Sequence, residues 1–226
     1  MPNLEIKSYY NQLAKEYDDN RFNNSYGQYI DQQERQFLAR FTHNIDPEKS
    51  LDLGCGTGRL LDYAEYGVDF SPEMLAVAQE KYPHKHLKEG LLTAIPLADA
   101  SLELIYCFHV LMHQDATTTA QFFQEAHRVL QPKGRLIVDF PSEKRRKTVK
   151  HQQNNWHAAN QMNLADLEKI TQAQWKIVHT EGLMFLPIHR IPTRFRSSCL
   201  SVDTQLCRSF LKEFASYLVV VLEKKE

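Results

Sequence analysis

Gly54, Gly56 and Gly58 stand at alternate positions in Leu51-Asp52-Leu53-Gly54-Cys55-Gly56-Thr57-Gly58-Arg59, where an apolar run gives way to a turn. Glycine tolerates positive φ and lets the backbone approach a ligand closely. A helix opening behind such a turn presents unpaired N–H groups to an anion. A dinucleotide-binding turn would read G-x-G-x-x-G and need glycine at 59. Arginine stands there, and the third glycine comes one residue early. Asp52, just before the loop, is poor company for a pyrophosphate and good company for an ammonium group. A second acid, Asp69, ends Tyr66-Gly67-Val68-Asp69-Phe70, 11 residues after Gly58. A carboxylate at that strand tip can accept hydrogen bonds from both hydroxyls of a ribose. A ligand with an amino-acid end and a nucleoside end satisfies both acids, and S-adenosylmethionine is such a molecule. Phe70 and Met74 stand where they would flank its adenine, although the same residue types serve equally as core.

Other side chains invite chemistry. His109 and His113, just past the run Leu102–Phe108, are the candidate general bases. A base is needed only where an acceptor must lose a proton, and either histidine serves as well as a structural hydrogen-bonding residue. Tyr9, Tyr10 and Tyr17 are candidates to close over the ligand, or to pack as aromatics. Cys55, Cys107, Cys199 and Cys207 form no C-x-x-C pair, so neither a metal site nor a disulfide framework is expected. Scattered cysteines without a leader pattern lead us to expect a reduced, cytoplasmic protein.

These residues need a frame. The 226 residues are 42% hydrophobic and 24% charged, enough apolar mass for one medium domain with an appendage. With 27 basic against 28 acidic residues, the whole chain has no electrostatic footprint for nucleic acid. The apolar run Tyr217–Leu222 is far too short to span a bilayer. Residues 1–46 pattern as amphipathic helix, with Ile30, Phe37, Leu38 and Phe41 on one face. From Ser50 onward short apolar runs (51–53, 68–70, 102–108, 136–140) alternate with helical segments. One such helix, Thr117–Leu130, is stopped by Pro132-Lys133-Gly134, and another opens at Ser71-Pro72-Glu73 with an N-cap, a proline and an acid in order. Alternating strands and helices predict an α/β doubly wound, mostly parallel sheet. The tail reads as helix 163–170, a strand-like stretch over 175–191, helix 203–215 and a strand over 217–223. Segment 141–162, with Lys144, Arg145, Arg146, Lys147 and Lys150, reads as a polar loop or lid.

The sequence resembles the class I S-adenosylmethionine-dependent methyltransferases, in the broad UbiE-like and methyltransferase-11-type branch. LDLGCGTG at 51–58 is similar to the family's first motif, and YGVDFSPEML at 66–75 to its second strand, ribose acid and following helix. GLLTAIPLADASLELIYCFHVLMH at 90–113 resembles the third and fourth motifs, VLQPKGRLIVDF at 129–140 the helix end and fifth strand, and YYNQLAKEYDD at 9–19 a common lead-in. The resemblance implies a Rossmann-like sheet of seven strands, the last-inserted one antiparallel. It implies an N-terminal helical segment over 1–46 closing the cofactor cleft of a methyltransferase domain at 47–226, with 141–200 as the lid or substrate region. It places the cofactor against Tyr17, Asp52, Gly54, Cys55, Gly56, Gly58, Asp69, Phe70, Met74, Leu91, Leu92 and Phe108. Two departures stand out. Leu91 occupies the place of the acid that usually bonds the adenine amino group, leaving adenine to backbone groups and apolar contact. The 12 residues 54–65 between the first two strands leave room for a first helix of about two turns.

The acceptor implied is a small molecule. RNA or protein acceptors are the alternative, as is a cofactor-binding module without catalysis. Arg190, Arg194 and Arg196 with Phe185 and Phe195, together with the basic cluster at 144–150, would suit an acidic metabolite, a lipid headgroup or RNA, or a solvated face. The near-neutral charge disfavours nucleic acid.

Overall fold

Every residue of Ser50–Leu53, including the polar Ser50 and Asp52, is buried, as befits the centre of a sheet covered on both faces. A computed structural model describes residues 2–149 and 160–226 of the chain. In chain order its helices and strands are α1 (Pro2–Leu13), α2 (Tyr17–Arg21), α3 (Ser25–Thr42), β1 (Ser50–Leu53), β2 (Tyr66–Asp69), α4 (Pro72–Lys81), β3 (His86–Glu89), β4 (Leu102–Cys107) and α5 (Ala116–Val129). They continue as β5 (Leu130–Pro141), α6 (Glu143–Thr148), α7 (Leu164–Thr171), β6 (Trp175–Leu183), α8 (Thr193–Arg208) and β7 (Tyr217–Lys224). Among the described residues the strands form one seven-stranded sheet in the order β3-β2-β1-β4-β5-β7-β6. Strands β1 to β5 pair in parallel, and β7 runs antiparallel to both β5 and β6. The order reverses beside β1, which opens a crevice at the strand C-termini.

Alternation along the strands divides the core. Ile105 and Cys107 of β4, with Leu218, Val220 and Leu222 of β7, pack with Phe122, Phe123 and Ala126 of α5. Leu104 and Tyr106, with Val219 and Val221, pack on the other side with Phe37 and Leu38 of α3. The apolar face expected at Ile30, Phe37 and Leu38 is buried, at 6%, 1% and 0% exposure. Capping follows local chemistry: Ser71 Oγ accepts the Met74 N–H at 3.2 Å, and Pro72 is the first residue of α4.

Five expectations need correction. No α-helix follows the glycine loop. Three glycine positions with positive φ use up the first part of 54–65, and the remainder holds only a 3-10 turn, Leu61–Tyr63. Pro132-Lys133-Gly134 does not stop α5, which already ends at Val129. The tripeptide lies in a bulge of β5, where Leu130 pairs with Leu102 and Arg135 with Leu104. The strand expected over 175–191 ends at Leu183, where Met184 adopts φ 56°, and the last helix begins ten residues earlier than read, behind Pro192. Within 141–162, Ser142 caps a real helix, α6, with Glu143 in its first turn and basic residues in its last. Residues 150–159 of the expected lid lie outside the described residues.

Candidate functional site

The glycine loop leaves the C-terminal end of β1 with φ of 80° at Gly54 and 53° at Gly56. A Cβ on Gly54 would sit 2.4 Å from Val110 Cγ2, whereas one on Gly56 would meet nothing within 4 Å. The first glycine thus permits close packing, and the second keeps open space beside the loop. Asp69, at the tip of β2, turns its carboxylate to this loop: Oδ2 accepts the Gly56 N–H at 2.8 Å and Oδ1 the Ser71 N–H at 2.9 Å. Burial pushes its pKa up to about 6, against the pull of those N–H groups.

A cleft of about 890 Å³, counting its open mouth, runs from the loop across the ends of β1, β2 and β4. Tyr17, Gly54, Gly56, Asp69, Phe70, Met74, Leu91, Leu92 and Phe108 line it, and so do both histidines, His109 and His113. Asp52, Cys55 and Gly58 do not. Leu51 and Leu53 point to the α5 side of the sheet, so alternation sends Asp52 to the other side. There burial pushes its carboxyl up to about 8, although Arg59 draws it down. Cys55 packs with Leu61, Leu75 and Ala78, and Gly58 lies against Leu61 and Tyr82. Sequence reading of the cofactor set missed Ile6, Val110, Gln114 and Thr118, which carry no chemical signature of their own, and placed Tyr10 only as a candidate cover.

His109 sits in a left-handed turn, φ 61°, directly after β4 and Phe108. Asp139 of β5 holds that turn by accepting the His109 backbone N–H at 2.6 Å, and its other oxygen lies 3.2 Å from Nδ1. Nε2 lies 2.6 Å from Glu34 Oε1 of α3. Glu34 Oε2 takes Arg59 at 2.6 Å, and Arg59 also donates to Asp31 at 2.6 Å. Burial alone would raise Glu34, but Arg59 and His109 outweigh it and hold its pKa down to about 2.

The N-terminal helices lie over the cleft and are tied down around it. Lys7 pairs with Glu89 of β3 at 2.6 Å, Ser71 donates to Asn11 at 2.6 Å, and Thr57 of the glycine loop donates to Asp18 at 2.6 Å. Lys81 joins Asp18 as well. The Tyr10 hydroxyl is 3.1 Å from His113 Nε2, and burial raises the phenol's pKa strongly. Of the arginines expected to face an acceptor, Arg196 spends its donors on Ile191 and Ser25, and Arg194 lies over Phe195. Among the described residues no cluster of His, Cys, Asp and Glu could hold a metal, and no helix is long and apolar enough to cross a membrane.

An open α/β sheet with a glycine loop and a strand-tip acid at its switch point is an arrangement suited to a ligand with a nucleoside end. Residues 51–138 match the family of methyltransferase domains designated Methyltransf_11. The matched segment runs from β1 through most of β5 and holds the glycine loop, Asp69, His109 and His113. The chain is 33% identical over 150 residues to a malonyl-[acyl-carrier protein] O-methyltransferase of Marinomonas, an alignment covering 60% of this chain and 54% of that protein. The chain spans about half the length, or less, of the first curated relatives it matches. The fold is similar to magnesium protoporphyrin IX methyltransferase of Synechocystis, solved with S-adenosylhomocysteine, at TM-score 0.69 and 16% identity over 99% of this chain and 100% of that one. It is also similar to a chain of the Haloferax volcanii complex of the Trm112 methyltransferase activator with a methyltransferase, at TM-score 0.66 and 17% identity over 96% and 98% of the two chains.

Proposed function

We propose that this protein transfers a methyl group from S-adenosylmethionine to a small-molecule acceptor. The residues present suit the cofactor. Asp69 is a buried carboxylate turned to the cleft, Gly56 leaves room where a Cβ would intrude, and Leu91, 49% exposed beside Leu92, offers an apolar surface to a base. When bound, the cofactor supplies a methyl group on a sulfonium that is already a good leaving group. The chain then has to orient, exclude water and manage one proton. Asp69 would accept the ribose hydroxyls, and Phe70, Met74, Leu91 and Leu92 would flank adenine. Where the acceptor must lose a proton, the Tyr10–His113 pair receives it.

The observation that carries the small-acceptor reading is the tied N-terminal roof. Tyr10 and Tyr17 share one cleft with the glycine loop, and Asp18, Asn11 and Lys7 fasten the segment around it. A roof of this kind suits an enclosed acceptor better than a polymer. We read 1–46 as the segment that closes the cleft and 141–200 as the acceptor-side cap. Packing of Tyr29 and Ile30 of α3 against Met184 and Ile188 supports that assignment. Four free cysteines, three of them buried, favour a reducing compartment, and we place the protein in the cytoplasm. A second reading, a methyltransferase that works with a small protein partner, draws on the likeness to the chain that Trm112 accompanies.

The test uses methyl-labelled S-adenosylmethionine with a fractionated cell extract. Label should appear in a low-mass fraction. Label in RNA or protein instead would overturn the small-acceptor reading. Cofactor binding with no transfer to any fraction would favour a non-catalytic module.

A further inference from the structure

Glu34 is fully buried, and its hydrogen-bond partners Arg59 and His109 are distant in sequence. A carboxylate removed from water is tolerated only where charged or hydrogen-bonding partners replace the water. One partner, Arg59, directly follows the glycine loop, and the other, His109, lines the cleft. Glu34 comes from α3, whose C-terminal half packs with Leu60, Ala64 and Tyr63 of the helix-free crossover. The helix therefore braces a loop that has only a 3-10 turn behind it.

We infer that Glu34 is a positioning residue of the methyl-transfer site. It pins Arg59 at the end of the glycine loop and holds His109 as an imidazolium, so that His109 shapes the cleft wall and is withdrawn from proton transfer. The inference rests on the methyltransferase reading above. The geometry is specific, because the His109 ring nitrogens lie 2.6 Å from Glu34 and 3.2 Å from Asp139. A neutral imidazole donating to Glu34 would turn its Nδ1 lone pair toward the Asp139 carboxylate. The cation instead meets Glu34 with a hydrogen-bond donor and Asp139, whose Oδ2 accepts no hydrogen bond from the described residues, with positive charge. The groups facing the ring are Glu34 of α3, Asp139 of β5, Arg59 beyond the glycine loop and Tyr217 of β7, whose ring centroid is 5.2 Å away. Burial and Arg59 oppose the cation, but the two acids prevail and raise the His109 pKa.

The experiment follows histidine ring nitrogens by NMR across pH in the wild type and in Glu34→Gln, with the His109 signal assigned by its loss in His109→Gln. Calorimetry with S-adenosylhomocysteine runs alongside. Wild-type His109 should titrate above the ordinary imidazole value of about 6.5. In Glu34→Gln the titration should fall to or below that value, and the affinity for S-adenosylhomocysteine should weaken about fivefold. A purely structural brace would lower the melting temperature of the variant without moving the titration. Wild-type His109 titrating at or below the ordinary value would overturn the inference, and that result stands even if Glu34→Gln fails to fold. So would a folded Glu34→Gln with unchanged titration. Failure of the wild type to bind S-adenosylhomocysteine would instead count against the methyltransferase reading.

Discussion

The carboxylate of Asp69 and the backbone N–H of Gly56 are joined at 2.8 Å, so the acid that would read the ribose also fixes the shape of the glycine loop. The two motifs are 13 residues apart and belong to neighbouring parallel strands. Their union has a consequence in pH. Burial lifts Asp69 to about 6, and a ribose donating two hydroxyls prefers the ionised form. Affinity for S-adenosylhomocysteine should therefore be level above neutrality and fall as pH drops through 6, by about tenfold at pH 5. Calorimetry at several pH values checks this. Asp69→Asn should bind at least about tenfold more weakly at pH 7.5 and show no such slope.

Gly54 and Gly56 should respond differently to alanine. At Gly54 a Cβ meets Val110 at 2.4 Å, and at φ 80° the backbone itself disfavours a side chain. Gly54→Ala should lose about 2 kcal/mol or more of stability in denaturant unfolding, and Val110→Ala should recover part of it. Gly56→Ala has open space around it, so its stability loss should be nearer 1 kcal/mol, the cost of positive φ. Its larger effect should be on cofactor affinity. Equal stability losses for the two variants would contradict this assignment.

Much of this site can be read from residue order, and the reasons are local. Glycines at 54, 56 and 58, the acid at 69 and the Ser71-Pro72 helix start each carry their geometry in their own side chains, or in the lack of one. The strands likewise follow from runs of apolar residues whose alternate faces meet α3 and α5. What escaped depends on distant partners. Asp52 reads as a ligand acid because it adjoins the loop, but strand alternation turns it away from the cleft. Glu34 reads as one more polar residue of an amphipathic helix, and only the fold brings it to Arg59 and His109. His109 and His113 look equivalent in the chain, yet one is set between two carboxylates and the other against a tyrosine.

That difference predicts unequal kinetics. His113→Asn should lower kcat by roughly 10² or more if the acceptor gives up its proton in the reaction, with cofactor affinity little changed. Tyr10→Phe should cost less. Steady-state rates on the acceptor found by label transfer measure both. If His113→Asn keeps full kcat, the Tyr10–His113 pair is not the proton acceptor.

The roof should behave as a ligand-dependent cover. S-adenosylhomocysteine should slow amide exchange in α1 and α2 and protect them from proteolysis, while the buried core of α5 hardly changes. Asp18→Ala removes the ties to Thr57 and Lys81, and should speed exchange in α2 with or without ligand. Identical exchange in α1 and α2 with and without ligand would show that the N-terminal segment is a fixed part of the wall.

The measurement closest to the central claim is a pair of calorimetric titrations of the purified protein, one with S-adenosylhomocysteine and one with NADH. One saturable site for S-adenosylhomocysteine, weakened in Asp69→Asn, and no heat with NADH is the predicted result. Saturable NADH binding with none for S-adenosylhomocysteine would contradict it, and the glycine loop would then belong to an oxidoreductase.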